Sequence, residues 1–110
     1  MRIVQHLRDV HNGRVTIDEF RRSSASSEPP AGLTPALTAL WHDAHGDWDA
    51  AHRVAQDISD ATGAWVHAYL HRKEGDLGNA RYWYNRAGHP ESRDSLDAEW
   101  EQIVSALLSR

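Results

Sequence analysis

His67, His71 and Glu74 stand at i, i+4 and i+7 of one helical segment, and so share a face. Imidazole nitrogens with a carboxylate oxygen are a donor set for Zn2+ or another transition metal, and a set short of four ligands leaves positions open. His71 beside Glu74 or Asp76 also has the form of a general base with an orienting carboxylate. Bare spacing is less specific than a complete ligand motif. The same imidazoles fit a packed interior in which each bonds a neighbouring carbonyl or carboxylate. No other cofactor is implied. The chain has no cysteine, which excludes disulfides, thiol chemistry and Cys-ligated zinc. It has no phosphate-cradling glycine loop, and its serines fall in a linker or near the last helix, where caps and solvation account for them.

The elements that must position these groups are legible from a repeat. The pattern His-x3-Gly-Asp-x4-Ala occurs at His42, Gly46, Asp47 and Ala51, and again at His71, Gly75, Asp76 and Ala80. A period near thirty residues, built of two helices around a Gly-Asp turn, marks a stacked helical repeat. Thr34-Pro35 opens a helix over about 35–45, with Thr as cap and Pro at the first position. Gly46 stops it, and Asp47 caps a second helix over about 48–58. Asp60-Ala61-Thr62-Gly63 reads as a break before a third helix over about 64–74. Gly75 and Asp76 repeat the stop and cap. A fourth helix covers about 77–87, with Leu77, Ala80, Trp83, Tyr84 and Ala87 inward. A last helix, about 96–109, carries one apolar stripe and a polar back, as a capping helix does. No segment has a strand pattern.

In repeat register His42 and His45 fall opposite His71 and Glu74. If their helices pack side by side, up to four imidazoles converge. Three adjacent aromatics, Tyr82, Trp83 and Tyr84, cannot all face inward at 3.6 residues per turn. With Trp83 and Tyr84 inside, Tyr82 either packs on Arg86 or belongs to a contact surface. Asn79 could read a ligand, although a first-turn Asn more often bonds locally.

Two segments precede the repeat: residues 1–33 read as an N-terminal arm, and 34–110 as the helical domain. Within the arm, Thr16-Ile17-Asp18-Glu19 has the form of a capping box before a short helix, and residues 23–32 are a Ser/Pro-rich linker. Ile3, Val4, Leu7 and Val10 could form one helical face that His11-Asn12-Gly13 ends, and a mobile N-terminal arm is expected.

Composition narrows the function classes. The 110 residues carry a formal net charge of -4 with 40% hydrophobic content, a globular profile. Nucleic-acid binding lacks its basic footprint. No apolar run reaches the roughly 18–20 residues of a membrane span, and the N-terminus lacks a signal-peptide core, so the cytoplasm is the default compartment. Eight histidines would carry the net charge from -4 toward +4 on protonation, so acid sensitivity is expected.

The Gly-Asp-aromatic-x-x-Ala turn resembles the middle of a tetratricopeptide repeat. Ala39 and Ala68 match the small residue of the family's first helix, and Ala51 and Ala80 that of its second. Tyr84 and Ala87 match later positions, where the first copy departs with Ala55 and Ile58. The copies lie 29 residues apart, against about 34 in the family. The likeness is to a degenerate two-repeat form over residues 35–88. The block His67-Ala68-Tyr69-Leu70-His71-Arg72-Lys73-Glu74-Gly75-Asp76, with Asn79-Ala80 and Tyr82-Trp83-Tyr84-x-Arg86-Ala87-Gly88, is similar to a family of small bacterial proteins without an assigned activity. The tetratricopeptide resemblance implies that Trp65, Tyr69 and Arg72 line a concave groove suited to an acidic or C-terminal peptide. Trp65 and Tyr69 equally suit a core covered by the last helix. The resulting expectation is an all-α, tetratricopeptide-like stack of about five short helices. Its role is protein or peptide interaction through Trp65, Tyr69, Arg72, Tyr82 and Arg86, with a homodimer among the candidate assemblies. The alternative is a metal-dependent or His-based enzyme.

Overall fold

A computed structural model describes residues 15–110. The expected apolar face and flexibility of residues 1–14 lie outside the described residues. The helices are α1 (Ile17–Ser23), α2 (Pro35–Ala44), α3 (Trp48–Gln56), α4 (Ala61–Glu74), α5 (Leu77–Ala87) and α6 (Leu96–Leu108). There is no strand among the described residues, and the fold is all-α.

The two Gly-Asp turns are built alike. Gly46 and Gly75 take φ of 97° and 91°, a left-handed conformation open to residues without a Cβ. Each bend brings the following Asp back onto its helix: the Asp47 amide donates to His42 O and the Asp76 amide to His71 O, both at 2.9 Å. The two carboxylates then accept from the Ala50 and Asn79 amides, capping α3 and α5. The result is two hairpins, α2–α3 and α4–α5, with α3 and α2 both packed on α4. Ala39, Ala51, Ala68 and Ala80 are all buried at the helix contacts, where a larger side chain would hold the backbones apart.

Two expectations are corrected. First, α4 begins at Ala61, because Asp60 caps it by accepting from the Gly63 amide at 3.1 Å. Gly63 is inside the helix and serves close approach: a Cβ there would lie 2.4 Å from Ile58 O. Ahead of residue 34, α1 packs on α2 and on the helix over residues 96–108. Phe20 of α1 is fully buried and stacks on Trp100 at 5.8 Å. The Arg21 guanidinium lies over Trp100 and pairs with Asp97 and Glu101. The capping box that starts α1 is present, with Glu19 receiving the Thr16 amide and Thr16 the Glu19 amide. Second, Leu77 does not face inward: at the first position of α5 it is 56% exposed.

Helix α6 lies against α2 and α4, the first helices of the two hairpins. It buries Trp100, Ile103, Val104 and Leu107, and the Trp100 indole donates to Leu40 O at 3.1 Å. The chain's own last helix therefore covers the side formed by α2 and α4.

Candidate metal centre

Helix α4 is apolar nearly all round and carries nine buried residues from Gly63 to His71. Two are histidines. His67 and His71, one turn apart, stack with ring centroids 4.8 Å apart and are 5% and 6% exposed. Across the seam between the hairpins, α3 supplies His52. Its Nε2 lies 2.9 Å from His67 Nε2, so in the metal-free state one imidazole donates an N–H to the other. His52 also meets the His71 ring edge-on at 5.1 Å. One nitrogen from each of the three rings lies within 4.8 Å of the others.

Aromatic walls hold the cluster in place. Trp48, one turn before His52 on α3, stacks on it at 4.9 Å and donates its indole N–H to Leu70 O at 2.8 Å. That bond ties α3 to α4 beside the imidazoles. Trp83 of α5 stacks on His67 at 4.0 Å. Behind His71, Nδ1 lies 2.7 Å from Glu74 Oε2. A carboxylate on the second ring nitrogen fixes an imidazole's tautomer and leaves Nε2 as the basic nitrogen, the arrangement found behind metal-ligating histidines.

The electrostatics favour neutral rings. Burial, followed by the neighbouring His52 and His71, lowers the His67 pKa to about 4. Burial and His71 lower His52 as well. At neutral pH these two rings are free bases with lone pairs to share. Three neutral imidazoles suit Zn2+, Co2+, Ni2+ or Cu2+, whereas Mg2+ and Ca2+ require oxygen ligands. With Zn–N near 2.1 Å, tetrahedral nitrogens sit roughly 3.4 Å apart. To admit the ion, the 2.9 Å His52–His67 contact would widen slightly and the ring that donates would shift its proton from Nε2 to Nδ1.

The residues expected from sequence are distributed differently. His67 and His71 are in the cluster, while Glu74 stands behind His71. His42 and His45 are not in it: both rings pack on Trp41, and His45 Nδ1 bonds Ser24 O at 2.8 Å. The seam is made by α3 against α4, so the imidazole that crosses it comes from α3 and not from the register-equivalent helix α2. His52 was missed because register pairs it with Arg81. Its signal was the i, i+4 spacing from Trp48 on the same stripe.

The groove residues are enclosed. Trp65 is 9% exposed and stacks on His89 at 3.8 Å. Tyr69 is 2% exposed and donates to Asp43, which also takes the Lys73 ammonium. Arg72 pairs with Glu99 of α6 and donates to Asp94 O. Glu99 also accepts from Tyr84 at 2.6 Å. Burial, and then the adjoining carboxylates, push the Tyr69 and Tyr84 phenols well above the usual range. Trp65 and Tyr69 are thus buried, and Arg72 is tied to α6 and the loop before it. Tyr82 is exposed, with Arg86 over its ring at 5.8 Å.

No protein-family model, curated protein or solved structure matches the chain. The reading of the centre therefore stands on its geometry.

Proposed function

We propose that this protein binds a divalent transition metal of the zinc class through His52, His67 and His71, with Glu74 orienting His71. The observation that carries this reading is the convergence of two buried imidazoles and one partly buried imidazole from two hairpins, two of them 2.9 Å apart nitrogen to nitrogen. Three nitrogens leave a fourth tetrahedral position for water or an exogenous ligand. The protein's own residues hold His52 and His67 neutral, orient His71 through Glu74 and screen the rings behind Trp48 and Trp83.

Calorimetric titration of the metal-free protein with Zn2+ tests this. The expected result is one equivalent bound with a dissociation constant at or below about 1 μM, lost in His67→Ala. Heat no greater than buffer at micromolar protein removes the proposal.

The stacked hairpins and buried alanines support a tetratricopeptide-like ancestry for the scaffold. An interaction role then attaches to the exposed surface of α5 around Tyr82, which with Leu77 at the helix start is an exposed large hydrophobic among the described residues. Affinity capture with the parent and with Tyr82→Ala checks it: a protein held by the parent and released by the variant is the supporting result.

A further inference from the structure

We infer that the metal reaches the three-imidazole centre through a second, outer site formed by His71, Glu74 and Asp76. This inference rests on the reading of His52, His67 and His71 as the inner site.

One ligand atom from each of the three residues lies within 4.8 Å of the others. The left-handed bend at Gly75 and the Asp76 amide bond to His71 O place Asp76 beside the end of α4. His71 is buried, while Glu74 and Asp76 are exposed, so the set runs from solvent to the interior. One Asp76 oxygen caps α5 by accepting from Asn79, which leaves the other for an ion. The two neighbouring cations are committed elsewhere, Lys73 to Asp43 and Arg72 to Glu99. Among the described residues neither Glu74 nor Asp76 is paired with Lys or Arg.

The donor chemistry differs between the two sites. Two carboxylates and one imidazole, open to water, take a divalent ion that still carries part of its hydration shell. The inner site offers three imidazoles and takes a largely dehydrated ion. His71 belongs to both. Its Nδ1 faces Glu74, which leaves Nε2 for the inner centre.

In the outer state the ion is bound to Nδ1 and Nε2 carries the proton. In the inner state the ion is bound to Nε2 and Nδ1–H donates to Glu74. Transfer inward therefore breaks the bonds to Nδ1 and the two carboxylates and makes bonds to three ring nitrogens. The His71 proton moves from Nε2 to Nδ1 by way of water, the proton held between His52 Nε2 and His67 Nε2 moves to Nδ1 of the ring that carried it, and no charge is gained or lost. A neutral imidazole keeps one nitrogen protonated, so it serves one site at a time.

The test is stopped-flow mixing of the full-length metal-free protein with Co2+, read by Trp fluorescence from Trp48 and Trp83. Asp76→Asn removes the charge and keeps the helix cap, because Asn caps as well as Asp. The expected association rate falls about three- to tenfold. The equilibrium affinity stays within about twofold, since release uses the same path and slows equally. Asp49→Asn is the control. Its carboxylate acts on His52 but contributes no atom to the outer set, and its association rate should match the parent. An unchanged Asp76→Asn rate, or equal slowing in Asp49→Asn, overturns the outer site while leaving the inner one standing. Failure of the parent to bind Co2+ at equilibrium overturns both.

Discussion

At the scale of single residues, the histidine cluster makes the metal-free protein sensitive to acid. His67 titrates near 4 in the folded chain, against about 6.5 when unfolded. Between those values the unfolded chain binds the extra proton, so stability falls as pH drops from 6.5 toward 4 and is unaffected by this group above 6.5. The full loss is on the order of 3 kcal/mol, and His52 acts in the same direction. Urea denaturation of metal-free protein at pH 7.5 and 5.0 should give a lower midpoint in acid, and His67→Gln should flatten the difference. A second residue-scale prediction concerns Glu99, which is 1% exposed and satisfies both Arg72 and Tyr84. Glu99→Ala strands a guanidinium in the interior and should cost about 3–5 kcal/mol. Chemical denaturation checks this. A loss below about 1 kcal/mol, the level of a surface pair, would show that the network contributes little.

At the scale of elements, the position of α4 depends on how closely α3's exit strap approaches it. The Cβ of Gly63→Ala would meet Ile58 backbone and side chain at 2.4–2.7 Å, contacts that a helix can relieve only by moving. A destabilisation of about 1–3 kcal/mol is expected. The metal affinity should fall with it, because the shift lies on the seam that brings His52 to His67. Gly78→Ala, with nothing within 4 Å of its Cβ, is the matched control and should be neutral or slightly stabilising. Equal behaviour of the two variants would mean that the seam is soft.

At the scale of the whole molecule, two hairpins and two covering helices give a small core held together at one seam. In a repeat stack, stability depends on the interface between neighbouring units. An ion held by both hairpins, as proposed, would add to that interface. At a hundredfold excess of Zn2+ over its dissociation constant, linkage adds about 2.7 kcal/mol. For a chain of this size that raises the thermal midpoint by about 10 °C or more. Differential scanning calorimetry with Zn2+ and with Mg2+ distinguishes the imidazole centre from general ionic effects, since Mg2+ should leave the midpoint unchanged.

Local chemistry was enough to specify the elements. The Gly-Asp turns, the caps at Thr16, Thr34 and Asp47, and the apolar stripe of residues 96–108 each depend on neighbours within one or two turns, and each was legible. Gly63 was misread because a glycine needed for a distant backbone looks the same in sequence as one that breaks a helix. His67, His71 and Glu74 were found together because helical periodicity alone aligns them. Which histidine faces them across the seam, and whether the groove stays open, depend on how helices stack. Stacking is set by long-range contacts between small and large side chains, and no local pattern encodes it. Only the tertiary structure brought His52 to the centre, sent His42 and His45 to Trp41, and laid α6 over Trp65 and Tyr69.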